Sequence, residues 1–440
     1  MKPMIKLVSG DPVVARSKFW CRFGTLFALS VIAVRGVVAA EVVPVSPPGM
    51  SSQSPDVAVS AEGAIHVVWI GENTAPPNAE QIAKRGHSHD SSTNLYLASS
   101  TDGGRSFSTP RQLNATSGDV WGFAISKPRI AVGPDGGVHV LYPGNTTNAK
   151  TGASETVALY VRSQDNAGER IFSSPRRLNV DALTDDLPKD DGGSFATLAI
   201  DDRNTVYAAW VDTRMITDSE MGRAALAVSS DGGRTFSADV EILPSIVCPC
   251  CQLSSAIDTQ RHLVLGARLV DGAYRDNEIV VLSDQGRRIE RRQRISGARW
   301  ALEGCPRKPT ALALRDQHWV AAYYSGAETP DGVYVVNSTD GGITWSTPKA
   351  LHVGATLSDA PALVFAGPRV HAVWHARIAD RGFRLFASHS DDGGAQFTPP
   401  VELPLPPGIA RLPAVSAHAD GSLQLVWQHE RTIRTLRWRP

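Results

Sequence analysis

The sequence predicts an all-β protein, a β-propeller of four-stranded blades, and three features carry that prediction. A turn pattern, Ser-x-Asp-Gly-Gly-x-x-Phe/Trp, occurs four times, beginning at Ser100, Ser229, Ser338 and Ser390. A second pattern, an apolar strand followed one hairpin later by an aromatic, recurs from Pro55 to Trp69, Pro128 to Tyr142, Phe195 to Trp210, Pro309 to Tyr323, Pro361 to Trp374 and Pro413 to Trp427. After residue 40 the chain is rich in alternating and β-branched segments, and no stretch has the period of a long amphipathic helix.

The N-terminus stands apart. Lys2, Lys6, Arg16, Lys18 and Arg22 precede an apolar run from Phe23 to Val34, and Val38-Ala39-Ala40 follows. That order predicts a secretory leader over residues 1–40, cleaved after Ala40, and an exported protein, periplasmic or secreted. An uncleaved membrane anchor is the alternative, although Arg35 cuts the apolar run short of a span. Residues 41–440 then form a single propeller domain.

Within it the repeats follow one another at roughly 50 to 70 residues, the length of one blade with loop insertions. A weaker seventh copy begins near Gln252, with Leu253 to Ile257 and His262 to Leu265 as its first strands. In the sixth copy the strands read Ala362 to Phe365, Val370 to Trp374, Phe383 to Ala387 and Phe397 to Leu403. The last copy ends after Thr432 to Trp438, which leaves three strands and a bare edge. The apolar stretch Glu41 to Val45 is available to cover that edge, so the expectation is seven blades closed by the N-terminal strand, with six as the alternative.

Each Ser-x-Asp-Gly-Gly turn has an Asp able to bond nearby N–H groups, glycines that supply positive φ, and an aromatic that tucks beneath it. The pattern resembles the Asp-box, or bacterial neuraminidase repeat, of sialidase-like propellers. The resemblance implies that these turns are scaffold, on the side away from any site. It also implies six blades, against the seven copies counted here. With 440 residues, 42% hydrophobic content and a formal charge of zero, there is material for a large core and no electrostatic basis for nucleic-acid binding. No phosphate-binding Gly-x-x-x-x-Gly-Lys, His-Glu-x-x-His or Gly-x-Ser-x-Gly motif is present, so nothing points to a nucleotide or other organic cofactor.

Cys21 would leave with the leader, and four cysteines would remain: Cys248, Cys250, Cys251 and Cys305. In an oxidising compartment that even number reads as two disulfides. One of them would join the Cys-Pro-Cys-Cys loop before the fourth copy to the Gly-Cys-Pro loop before the fifth. The alternative is a thiolate cluster for copper or zinc. Together with Arg275-Asp-Asn-Glu278-Ile279, these motifs resemble a group of exported sialidase-like propeller proteins.

The rim opposite the Asp-boxes is where a site is expected. Its candidates are His87, His89 and Asp90 in the first insertion, Asp212, Arg214, Arg268, Arg275, Asp276, Glu278, Tyr323, Tyr324, His375, Arg377, His429, Glu430 and Arg431 after the second strands, and Trp121, Lys127, Arg129, Asp190, Asp191, Glu303, Lys308, Asp359 and Arg411 from the entry loops. A sialidase needs arginines to clamp the sugar carboxylate, a Tyr–Glu nucleophile pair and an Asp acid, so the resemblance implies roles by position. Arg214, Arg268 and Arg377 would form the clamp, Tyr323 or Tyr324 with Glu278 or Glu303 the nucleophile pair, and Asp212 or Asp90 the acid. The family's early Arg-Ile-Pro motif is absent, since Arg85 is the single arginine between Glu41 and Ser100. Two functions follow: a glycan-recognising or glycoside-hydrolysing protein acting at an arginine–carboxylate rim, or a non-catalytic propeller that binds a protein partner or handles a metal.

Overall fold

Seven inner strands stand around one axis in the computed structural model: Met50–Val59, Arg129–Val132, Ser194–Ile200, Ser254–Ile257, Thr310–Arg315, Ala362–Ala366 and Ala410–Ala417. Each packs on the next and the last packs on the first, so the ring is closed. Each begins an antiparallel sheet of four strands, with a fifth, Glu169–Phe172, added to blade two. The structure describes residues 41–73, 93–147, 154–166, 169–179, 192–213, 221–243, 245–354, 359 and 361–439. The secretory leader expected at residues 1–40 lies outside them, as do Arg214, His87, His89 and Asp90. Among the described residues no helix is long and apolar enough to cross a membrane.

The recurring aromatics are the spine of the core. Trp69, Tyr142, Trp210, Tyr323, Trp374 and Trp427 are each 0% exposed. Three of them stack on the third strand of their own blade, Trp69 on Tyr96, Tyr323 on Tyr334 and Trp374 on Phe386. At about 150–250 Å² buried per aromatic side chain, this column is a dominant share of the apolar burial between blades. Blade four departs from the pattern. Ile257 pairs with Leu263 as Val59 pairs with Ile65, which puts Ala267, packed against blade three, where the other blades carry the aromatic. Gly266 lies on the other face, where a side chain would collide with Ser254 and with Thr310 of blade five. Two residues on, and on the same face of the strand, stands Arg268, 1% exposed.

The seventh sheet runs Ala410–Ala417, Leu423–His429, Thr432–Trp438 and then, on the outside, Val42–Pro44. Val43 faces Thr435 across this pairing. Val45 donates its N–H to Ile433 O at 2.9 Å, and Ile433 N–H bonds Ser46 Oγ at 2.8 Å. The outer strand of blade six is shorter than its sequence suggests. It is confined to Val401–Glu402, because Pro399 and Pro400 offer no N–H to a ladder.

All four Ser-x-Asp-Gly-Gly turns close in the same way. In the first, Asp102 Oδ1 accepts from Ser100 Oγ (2.7 Å), Arg105 N–H (2.9 Å) and Ser106 N–H (3.0 Å), while Gly104 N–H bonds Ser100 Oγ at 2.9 Å. Asp231, Asp340 and Asp392 are bonded likewise. Hydrogen bonds from the side chain and backbone of Thr344 hold the Asp340 carboxyl well below the usual range, and Ser106 does the same for Asp102. The second glycine needs φ near +80° and comes against a blade: Gly394 meets Val320 and Asn337 of blade five. Arg291 of blade four donates to Gly341 O of the blade-five turn at 2.7 Å. These turns connect third to fourth strands, so strand alternation puts them at the end opposite the loops that lead into the inner strands.

Deleting residues 41–46 removes the outer strand of blade seven and the burial of Val45, worth about 1.5–3 kcal/mol, so thermal unfolding should shift down and limited proteolysis should begin near residues 432–438. An unshifted melt would show that the strand is dispensable. For Asp340→Ala, the wild-type advantage in melting temperature should be present at pH 7 and shrink as the pH drops below about 4, because a carboxyl with a lowered folded pKa stabilises only while it stays ionised.

Candidate functional site

The loops leading into the inner strands are laced to one another around the mouth of the axis. Gln53 Nε2 donates to Gly122 O (2.6 Å), Ser54 Oγ to Ala124 O (2.6 Å), Phe195 N–H to Ser126 Oγ (3.0 Å), Leu253 N–H to Phe195 O (3.1 Å) and Lys127 N–H to Gln252 Oε1 (3.1 Å). Three inner strands carry a bulge here, each with a residue at positive φ: Ser54 (57°), Phe195 (50°) and Leu412 (53°). Such a backbone costs on the order of 1–3 kcal/mol at each non-glycine residue and persists where its surroundings over-determine it. Here the lacing does so, and it points the following side chains at the axis.

The result is an axial basin of about 180 Å³ lined by Asp56, Lys127, Arg129, Arg307, Asp359 and His375, with Gln252, Cys250 and apolar residues such as Ile125, Leu363 and Leu412 between them. Lys127 Nζ crosses to Pro413 O at 3.1 Å, and what surface it retains faces the basin. Burial pushes its pKa down to about 8; Asp359 and Asp56 oppose that, and Arg129 adds to it. Asp56 accepts from Ile130 N–H at 3.1 Å and meets Arg129 Nε at 3.4 Å, joining blade one to blade two. His375, 7% exposed, is kept neutral by burial, with a pKa pushed down to about 4; Asp359 opposes the shift, while Lys308, Lys127 and Arg411 reinforce it. Leu412 N–H points at His375 Nδ1 from 3.4 Å. Three cations therefore face two carboxylates in a partly desolvated cup. The chemistry this favours is capture of an anion by charge-assisted hydrogen bonds.

The clamp expected from the sequence is not assembled by the described residues. Arg268 donates to three backbone carbonyls, Lys308 O (3.1 Å), Arg275 O (2.7 Å) and Tyr324 O (2.8 Å), and its guanidinium lies 5.2 Å from the Trp300 ring. It is a strut between blades four and five. Arg377 is exposed near the end of the blade-six hairpin, opposite Phe383. Glu278 is held by Arg292, Nε at 2.5 Å and Nη2 at 3.3 Å, and so is not a partner of Tyr323. Tyr323 is fully buried and donates instead to Glu328 Oε1 (3.2 Å), which also takes the N–H groups of Gly297 (2.9 Å) and Ala298 (3.0 Å). Burial and the Glu328 charge push the Tyr323 hydroxyl pKa up, the wrong direction for a nucleophile. Asp212 is 0% exposed, and Trp210 Nε1 points at its Oδ2 from 3.5 Å. Arg214 is outside the described residues.

Of the rim residues singled out in the sequence, Lys127, Arg129 and Asp359 from the entry loops and His375 from the second strand of blade six meet at the basin, whereas Trp121, Glu303, Lys308 and Arg411 do not line it. Asp56, Gln252 and Arg307 were missed. A signal for Asp56 was present, because it follows Pro55 as Arg129 follows Pro128.

The four cysteines form one cluster on the wall of the basin. Cys250 and Cys305 are joined in a disulfide that ties the lead-in loops of blades four and five. The expected second disulfide is not formed: Cys248 and Cys251 are free thiols, buried, with sulfurs 3.1 Å apart. Cys248 Sγ lies 2.9 Å and Cys251 Sγ 4.0 Å from Cys305 Sγ. Cys248 N–H is fixed by Arg268 O at 2.8 Å, and the backbone N–H groups of Lys308 and Arg307 lie against the Cys251 sulfur.

No protein-family profile matches the chain, and no curated protein matches it by sequence. Among solved structures, an ulvan lyase of a polysaccharide lyase family, in complex with a saccharide of glucuronic acid and sulfated rhamnose, aligns with a TM-score of 0.54 at 12% identity over 88% of this chain and 93% of that one. A protein of unknown function from Dyadobacter fermentans aligns at 0.51 and 14% identity over 79% of this chain and 97% of that one. Solved sialidases are also similar; a Hadza microbial sialidase gives 0.46 and 13% identity over 88% of this chain but only 66% of its own, so the chain spans just under two thirds of that sialidase. At these identities the likeness is one of propeller fold.

Replacing Arg268 by Met takes the donor from one buried carbonyl, Arg275 O, and two partly buried ones, Lys308 O and Tyr324 O; at about 1–3 kcal/mol for a buried acceptor and less for the others, urea unfolding should show a loss of at least about 2 kcal/mol. Arg377→Ala should stay within about 0.5 kcal/mol of wild type, as exposed substitutions do. Equal stability of the two variants would remove the strut role.

Proposed function

We propose that this is an exported glycan-binding propeller whose axial basin holds an acidic saccharide by its carboxylate. The observation that carries the reading is the placing of Lys127, Arg129 and Arg307 around a cup whose own carboxylates, Asp56 and Asp359, are outnumbered. A guanidinium offers a planar two-pronged match to a carboxylate, and a half-desolvated ammonium gains more from an anion than one in open water. Neutral His375, Gln252 and the apolar wall leave room for hydroxyls and a ring face. An acidic saccharide is also what the ulvan lyase of like fold holds.

The reading is recognition rather than sialidase-type hydrolysis. No tyrosine lines the basin among the described residues, and the Tyr323 hydroxyl is engaged with Glu328. The protein-partner alternative has no comparable support, since nothing in the basin suggests a flat protein-binding rim.

Calorimetric titration with glucuronate- and sialate-terminated oligosaccharides, beside neutral analogues, tests the proposal. Acidic ligands should bind and neutral ones should not. Lys127→Met should weaken binding about tenfold, the value of one charge-assisted contact. Affinity should hold up to about pH 8 and fall above it, because Lys127 carries its charge only below its pKa. Equal binding of neutral ligands, or turnover of a chromogenic glycoside, would overturn the recognition reading.

A further inference from the structure

We propose that Cys248, Cys251 and Cys305 form a three-sulfur site for Cu(I) once a thiol-class reductant has opened the Cys250–Cys305 disulfide. Their sulfurs all lie within 4.8 Å of one another, and among the described residues they are the group of side chains placed to share a metal ion. The donor set is sulfur alone. Thiolates select soft cations such as Cu(I), whereas Mg²⁺ and Ca²⁺ require oxygen. Zn²⁺ would call for a fourth, tetrahedral ligand. Here the remaining sulfur belongs to Cys250, which is adjacent in sequence to Cys251 and lines the basin.

The surroundings suit the charge such a site would carry. Three thiolates and one Cu(I) sum to two negative charges, and a buried charge is stable only when compensated. The Arg268 guanidinium is buried within electrostatic reach of both Cys248 and Cys251. The backbone N–H groups of Lys308 and Arg307 face the Cys251 sulfur. Arg268 thus has a second role beside its strut, as counter-charge.

The chemistry balances. Two reductant thiols become one disulfide, and their electrons and protons convert Cys250–Cys305 into two thiols. Cu(I) then replaces the protons of Cys248, Cys251 and Cys305, and three protons are released to water.

The test is an anaerobic titration of the full chain, in a Cys21→Ser background and reduced with a phosphine, with Cu(I) in competition with bathocuproine disulfonate. One copper per chain should be withheld from the chelator, and the protein left oxidised should withhold none. Cys251→Ser and Cys305→Ser should each lose retention by at least 100-fold, while Cys250→Ser keeps it. X-ray absorption on the wild-type complex gives a readout independent of the variants and should show a shell of three sulfurs. Loss in Cys250→Ser equal to that in Cys251→Ser, full surrender of copper to the chelator, or retention of Zn²⁺ in preference to Cu(I) would each overturn the proposal.

Discussion

Ring closure is the constraint on which everything else in this molecule depends. Seven inner strands can surround one axis only if the loops that feed them are held in register with one another. The hydrogen bonds from Gln53 and Ser54 to blade two's lead-in loop, from Phe195 to Ser126 and from Lys127 to Gln252 do this at one end. The Ser-x-Asp-Gly-Gly turns, docked on neighbouring blades, do it at the other. The strained backbone at Ser54, Phe195 and Leu412 is a by-product of that lacing and also its use. It turns Asp56 and its counterparts inward, so the basin is made by the closure itself.

Blade four shows how one break in a repeat can make room for chemistry. Where six blades fill the space between sheets with an indole or a phenol, this one has Ala267, and the next residue turns a guanidinium toward blade five. Arg268 satisfies carbonyls of two blades and places a positive charge beside the cysteines. The asymmetry is therefore electrostatic as much as steric.

The basin and the cysteine cluster share a wall through Cys250, and the two differ in the type of charge they accommodate. On the basin side, cations outnumber carboxylates and an anion is favoured. On the sulfur side, thiols backed by Arg268 favour a soft cation. Low dielectric strengthens both preferences, because each lies where water is partly excluded.

Periodicity alone carried the blade count, the aromatic column and the turn positions, since strand alternation, Gly-Gly turns and repeated aromatics are local and survive in one dimension. The pairing of loops 248–251 and 305 was legible too, because both precede inner strands of adjacent blades. What the chain could not reveal by itself was which polar side chains converge. Arg268, Glu278 and Tyr323 look like site residues in a string of letters, yet a carbonyl of the next blade, an arginine of the adjacent strand and a glutamate of the same hairpin claim them. Asp56, Gln252 and Arg307 look like ordinary loop residues until the ring brings them to one axis. Convergence of this kind is a property of closure, a contact between segments hundreds of residues apart, and only the tertiary structure decides it.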